Sequence, residues 1–567
     1  MKNVAKFSLL YPSNATQTAS YTWGNNTIVD LDLDKIAIAT NMGPQYRETI
    51  KAMLFNISAD AGVIAYRQEI LADLLSANGV AAGLEEVLPL LARLHDSLSM
   101  RTEAGGVPLQ ETLGRLSELN TYVACVKKLH AILTAAGADL RAEGLCNLRD
   151  RLQEISGDAT FQSLEKNLPG LLKRLSSVPS ITIGVNLDNE LRPVEVTLLS
   201  VNEKPFRGGS LLQQLMGTKT VSDKPDQGIA QLHALPFVQV DQQGRTVSSG
   251  RRVDPMMVPL FKDLLKLVQA VIAPISSALK DYAQVNAHFL VSIEQEVAFY
   301  LGAMRLIKKM EAVGLPMCRP EILPMQERAC NIQGLYNLRL ALDMQHEKPN
   351  LRGVVIQNDV DFDANGRIFI LTGPNQGGKT VYTQAMGIAQ VLFQAGLYIP
   401  AENARISPTD GLYTHFAIEE KSIQGMGRLS EESKRLSDIF EVITPCSMVL
   451  FNESLSSTSA GESLYMAQDI IRALRLFGVR AIFATHLHEL AEKVDVINHE
   501  VNGDSLVISM VAEVDTQSDP TNELVPRTYK IKPGPPKGHS YAKGIAVRYG
   551  ISFEQLAEKW QERKPTR

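Results

Sequence analysis

Residues 367–380 constrain this chain more than any other stretch. Arg367-Ile368-Phe369-Ile370-Leu371-Thr372 is apolar and β-branched, the pattern of a buried strand. It runs directly into Gly373-Pro374-Asn375-Gln376-Gly377-Gly378-Lys379-Thr380, and a helical run through Gln384-Ala385-Met386-Gly387-Ile388 follows. This is G-x-x-x-x-G-K-[ST] with a strand before it and a helix after it. The glycines let backbone N–H groups turn inward on phosphates, and the helix N-terminus adds its partial positive charge. Lys379 is placed to reach the β- and γ-phosphates and Thr380 to ligate Mg²⁺, so ATP and Mg²⁺ are the expected cofactors. The eight-residue pattern alone occurs by chance, and an ordinary Gly-rich turn is the competing reading. The flanking strand and helix are what make it specific.

The next two strands carry the groups such a loop needs. Ser447-Met448-Val449-Leu450-Phe451-Asn452-Glu453 is an apolar strand ending in two polar residues. An Asp usually stands first in that pair, on Mg²⁺, and the Glu after it orients the attacking water. Here Asn452 keeps an acceptor oxygen but lacks the charge, so its hold on Mg²⁺ is expected to be weaker. Glu453 is the candidate general base, against the alternative of a carboxylate at the start of the following helix. Arg480-Ala481-Ile482-Phe483-Ala484-Thr485 reads as a third strand, with His486 just past its end as a candidate γ-phosphate sensor. His488, two residues on, is more simply structural.

Elsewhere the periodicity divides the chain. At 567 residues it is too long for one core, and ~150 residues per domain implies three or four. Residues 1–50 read as a small, irregular N-terminal segment, and 51–176 as a bundle of long helices, as in Ile64-Ala65-Tyr66-Arg67-Gln68-Glu69-Ile70-Leu71. Period two takes over in 180–187 and again in 193–200, with the turn-like Asp188-Asn189-Glu190 between them. That is a hairpin inside a β-containing insertion assigned to 177–255. Helical spacing returns in 256–348, notably from Pro259 to Ala312, and 349–567 alternates strand and helix.

The net charge of −5 advertises no nucleic acid, although a local groove can be basic within an acidic protein. The five cysteines form no CxxC pair and read as reduced thiols. The N-terminus has no signal-peptide core, and no window approaches the ~20 apolar residues a membrane helix needs. A cytoplasmic protein with no membrane partner is the expectation.

On these residues the chain resembles the MutS family of DNA mismatch-repair proteins. Residues 372–380 are similar to that family's Thr-Gly-Pro-Asn-Met-Gly-Gly-Lys-Ser, where the Pro-Asn pair and double Gly are far more specific than a generic loop. Ile399-Pro400-Ala401-Glu402-Asn403-Ala404-Arg405-Ile406, Asn452-Glu453 through Ser457-Thr458-Ser459, Phe483-Ala484-Thr485-His486 and Ser540-Tyr541 follow in matching order. Upstream, Tyr66-Arg67-Gln68-Glu69-Ile70-Leu71 and the helix–hairpin–helix layout look like the family's core, lever and clamp. The resemblance implies a multidomain fold: an α-helical core/lever domain with a small β-containing clamp insertion, then an α/β P-loop ATPase domain of ABC type.

By position, the resemblance makes Ile356, Asn358 and Tyr529 candidates for adenine packing, with core packing the other reading of Ile356 and Tyr529. It makes Ser430, Thr458 and Ser459 the signature and D-loop residues that complete the partner subunit's site in a homodimer. The implied function is an ATPase whose nucleotide state governs clamp-like binding of DNA.

The departures are as informative. Asn452 replaces the family's Asp, Leu455-Ser456-Ser457 replaces Gly-Arg-Gly, and the signature loop is blurred to Gly427-Arg428-Leu429-Ser430-Glu431-Glu432. The first hundred residues contain no Phe-x-Glu and leave no room for the mismatch-reading and connector domains, and no nuclease-like tail follows. A shortened, divergent member is expected, with slow hydrolysis and without specific mismatch recognition. An ATP-gated scaffold that hardly hydrolyses, or an ATPase acting on a protein or ribosomal partner, are the other readings.

Overall fold

The computed structural model describes residues 7–13, 22–24, 26–77, 79–103, 108–175, 180–202, 204–206, 272–283, 285, 287–374, 376–417, 428–514, 527–536 and 550–562. Asn375, Gly427, Ser540-Tyr541 and most of the stretch from 203 to 271 lie outside the described residues. The strands in chain order are β1 (Thr22–Trp23), β2 (Ser180–Leu187), β3 (Pro193–Asn202), β4 (Glu321–Ile322), β5 (Cys330–Leu335), β6 (Asn358–Phe362) and β7 (Ile368–Thr372). Then come β8 (Asn403–Ile406), β9 (Gly411–Phe416), β10 (Met448–Asn452), β11 (Arg480–Ala484), β12 (Val507–Val514) and β13 (Arg527–Pro533).

The chain divides into two compact units. One comprises Met1–Ala81, Ala138–Leu145 and Gln295–Arg567, and the other Ala82–Gly137 and Cys146–Glu294. The first is built on a seven-stranded sheet of order β1-β9-β10-β11-β7-β12-β13, parallel throughout except for β13. Every residue of β7, β9, β10 and β11 is buried, as parallel strands covered on both faces must be. Alternate residues serve opposite faces. Val449, Phe451, Ala481 and Phe483 join Ile471 and Leu474 of the helix Ala460–Phe477 in one core. Leu450, one residue out of phase, approaches Gly387 of the helix Lys379–Gln394. A smaller sheet, order β4-β8-β5-β6, completes this unit.

Among the described residues, the helices Thr27–Asp30, Leu33–Ala39 and Pro44–Phe55 begin within the N-terminal segment, which also supplies the edge strand of the large sheet. Thr22 and Trp23 pair parallel with Gly411 and Leu412. Asp30 accepts from Thr414 Oγ1 at 2.6 Å through its carboxylate and from Gln384 Nε2 at 2.9 Å through its carbonyl. Arg67, fully buried on the helix Ala61–Ser76, donates to Leu10 O at 2.9 Å and to Ala395 O, just past the helix Lys379–Gln394. Ala395 is the C-cap of that helix, where a cation is favoured.

The second unit is helical, with the hairpin β2–β3 joined through Asp188, whose carboxylate accepts from the N–H groups of Glu190 and Arg192. Asp158 likewise accepts from the N–H groups of Thr160 and Phe161 and starts the helix Ala159–Leu175. The helical spacing read through to Ala312 is broken: a 3₁₀ turn, Lys280–Tyr282, precedes the helix His288–Ala312. Arg115 stabilises the break by donating to the carbonyls of Tyr282 at 2.7 Å and Val285 at 3.0 Å. Among the described residues no single helix is long and apolar enough to cross a membrane.

Candidate nucleotide site

The sheet order sets β10, β11 and β7 side by side, so that their carboxyl ends form one row. Ligands of open parallel sheets bind beyond this edge. Glu453 N donates to Ala484 O at 2.9 Å and Thr485 N to Leu371 O at 2.9 Å, which locks the three ends together.

The loop leaves β7 through Gly373, whose φ of 146° and contact with Ala512 leave no space for a Cβ. Gln376 lies at φ 59°, and Gly378, at φ 94°, stands before Lys379–Gln394 without a side-chain cap. Gly378 thus offers no side-chain acceptor to the first N–H groups of this sixteen-residue helix. Lys379 is buried and donates through Nζ to the carbonyls of Gly373 and Pro374, both at 3.1 Å. Burial lowers its pKa to about 8, opposed by the charge of Glu453. A buried ammonium held by loop carbonyls, just ahead of a helix N-terminus, fits a phosphate chain. Thr380 Oγ1 donates to Asn452 Oδ1 at 2.9 Å, so the two candidate metal ligands are in contact. These two neutral oxygens fit a hard cation that is also held by phosphate.

Glu453 and Leu455 both have positive φ, 54° and 65°. For residues with a Cβ this costs on the order of 1–3 kcal/mol each, and neighbouring structure must enforce it. The turn sends the Glu453 carboxylate to His486, with Nε2 and Oε1 3.0 Å apart and both side chains about 40% exposed. The hydrogen bond from His486 and the charge of Lys379 hold the Glu453 carboxyl below the ordinary range against partial desolvation. His488 instead opens the short helix His488–Glu492.

The remaining candidates are spread around this centre. Tyr529 has φ 54° and is 44% exposed, and its ring lies beside Gly378, 3.6 Å from where a Cβ would stand. Asn358 uses its amide on the β13 backbone, donating to Tyr529 O at 3.1 Å and accepting from Ile531 N at 2.8 Å. The preceding Ile356 is half-buried. Ser430 is exposed on the first turn of the helix Arg428–Val442. Ser459 precedes the helix Ala460–Phe477 and accepts from Glu462 N, while Thr458 and Ser459 both donate to the Glu462 carboxylate. Within the chain, then, the Ser459 hydroxyl caps a helix and that of Thr458 holds the Glu462 carboxylate beside it.

Sequence reasoning missed His415 and Ser454. His415 Nδ1 lies 2.7 Å from Ser454 Oγ, which also bonds to His415 O at 2.9 Å, and both residues are buried. Their separation of 39 positions leaves no local signal.

A parallel sheet with a glycine loop, lysine and helix at the carboxyl end of one strand, and polar residues at the ends of the next two, defines a P-loop α/β protein. The family model for the MutS2 N-terminal domain matches residues 59–313, and that for MutS domain V matches residues 369–555. The chain belongs to the MutS family. It is 28% identical over 213 residues to the DNA mismatch repair protein MutS of Lactobacillus acidophilus, covering 37% of this chain and 24% of that protein. To the protein of the same name from Lactobacillus johnsonii it is 29% identical over 207 residues, 36% of this chain and 23% of the relative. To that of Streptococcus thermophilus it is 30% identical over 148 residues, 26% and 17% respectively. The similarity thus spans a quarter or less of each of these relatives.

Proposed function

We propose that this chain is a homodimeric ATPase that couples its nucleotide state to clamp-like binding of DNA, without mismatch-specific recognition. The observation that carries the reading is the convergence of Lys379, the Thr380–Asn452 pair and the Glu453–His486 pair on three adjacent strand ends. Bound ATP–Mg²⁺ supplies a polarised γ-phosphoryl group. Lys379 exchanges its loop carbonyls for β- and γ-phosphate oxygens, and the N–H groups of 376–380 cradle the chain of phosphates. Thr380 and Asn452 offer oxygens to the metal. Glu453, held ionised by His486, orients water and takes its proton. Tyr529 packs on the base, beside Ile356, and Asn358 fixes the strand that presents it.

The helical unit with its hairpin corresponds in this reading to core, lever and clamp. Ser430, Thr458 and Ser459 reach the partner subunit's phosphates in the ABC manner. A DNA partner is supported by the relatives' role as DNA mismatch repair proteins.

Asn452 favours a second reading, a scaffold gated by ATP with little turnover, because an amide lacks the charge that holds the metal. Filter binding of duplex, branched and single-stranded DNA across a salt series, with and without ATP, beside a turnover assay, tests both. The ATPase clamp requires nucleotide-dependent DNA binding and turnover that Glu453→Gln abolishes. DNA binding that ignores ATP contradicts it, and gated binding with no turnover selects the scaffold.

A further inference from the structure

The turn carrying Glu453 contains two left-handed residues with Cβ atoms, Glu453 and Leu455, flanking Ser454. Its backbone is anchored on both sides: Asn452 O accepts from Ala417 N at 3.1 Å, Glu453 N donates to Ala484 O, and Leu455 O accepts from Ser463 Oγ at 2.7 Å. Between these anchors Ser454 is buried. There its hydroxyl meets both the carbonyl and the Nδ1 of His415, the residue paired with Phe451 across β9 and β10.

We propose that His415 and Ser454 form a positioning pair that holds the 453–455 turn in its left-handed conformation and so aims the Glu453 carboxylate. Without the Ser454 hydroxyl the turn relaxes toward negative φ, and a rotation of the Glu453 backbone swings its carboxylate away from His486. His415 suits the task because its ring is fully buried and stacked obliquely near Phe451, 6.3 Å between centroids. Burial and the nearby Arg435 hold the ring neutral, so the bond to Ser454 keeps one form over the working pH range. The inference rests on the reading of Glu453 as the group that orients water.

The test compares single-turnover hydrolysis, nucleotide Kd and melting temperature across a small set of variants. Ser454→Ala is expected to hydrolyse ATP about tenfold more slowly, with Kd within about twofold of the parent, because a misaimed base affects the chemical step and not binding. Ser454→Thr keeps the hydroxyl and recovers the rate. His415→Leu falls like Ser454→Ala and His415→Asn recovers, which carries the test if Ser454→Ala does not fold. Glu453→Gln with Ser454→Ala is no slower than Glu453→Gln alone, whereas general destabilisation slows it further. Parental rates in Ser454→Ala and His415→Leu, with Glu453→Gln inactive, overturn the positioning pair alone. A parental rate in Glu453→Gln overturns the reading of Glu453 and this inference with it.

Discussion

The hydroxyl of Thr380, on the first turn of the loop helix, donates a 2.9 Å hydrogen bond to the side-chain oxygen of Asn452 at the end of β10. The two groups expected on Mg²⁺ therefore already face each other, with an amide where a carboxylate is usual. Asn452→Asp restores a charge at that point. It is expected to lower the Mg²⁺ concentration for half-maximal turnover by roughly tenfold and to raise the maximal rate. A magnesium titration of ATPase activity reads both, and identical curves for parent and variant show that Asn452 does not limit the reaction.

Glu453→Gln keeps the shape and the hydrogen bond to His486 but cannot take a proton. Turnover should fall at least ~100-fold while ATP still binds. His486→Ala removes the hydrogen bond that is the largest cause of the depressed Glu453 pKa. Protonation of Glu453 then sets in at higher pH, so the acid limb of the pH–rate profile moves upward. An acid limb at the parental position contradicts the pairing of these residues in the working site.

His415 gives a stability signature of its own. Its pKa lies at about 4 in the folded chain, against an ordinary 6.5, chiefly through burial and then through Arg435. Between those values the unfolded chain binds more protons than the folded one, so stability is lost as pH falls through that window, by up to about 3 kcal/mol. His415→Gln removes this term. The parent's melting temperature relative to the variant's should drop as the buffer goes from about pH 7 to pH 4.5. A difference that stays constant across this range contradicts the buried neutral ring.

What was legible in the sequence follows the range of the physics. The strand before the loop and the helix after it, Ile368–Thr372 and Lys379–Gln394, are set by local periodicity; the strand lies within the stretch read for it, and the helix extends beyond the run read through Gln384–Ile388 at both ends. The hairpin strands Ser180–Leu187 and Pro193–Asn202 are set by alternation and by Asp188. Contacts between distant positions left no such trace. Thr27 Oγ1 bonds to Leu412 O across 385 positions, and nothing near Thr22 marks it as an edge strand of the nucleotide sheet. The break before His288 escaped for a similar reason, since Arg115, which satisfies its carbonyls, lies more than 160 positions away. In the site, residue types at strand ends pointed to Glu453 and His486, but His415, which meets Ser454 in the turn after Glu453, lies on another strand.

Completion of the site by a second subunit has a direct test. Ser430 is exposed at the start of its helix, and Thr458 and Ser459 sit at the start of theirs. Lys379→Ala and Ser430→Ala proteins, each inactive alone, should regain partial activity when mixed, since a heterodimer retains one intact composite site. Full activity in a protein that sediments as a monomer with ATP present contradicts this arrangement.

Calorimetric titration of ATP–Mg²⁺ into the parent and into Lys379→Ala bears most directly on the central claim, that the nucleotide occupies the loop 373–380. Lys379 holds its ammonium on the carbonyls of Gly373 and Pro374, and with ATP bound that ammonium must sit on phosphate. The parent should bind ATP saturably, and Lys379→Ala should bind it at least tenfold more weakly, on the order of 1.4 kcal/mol. Equal affinity in the two proteins would contradict the account.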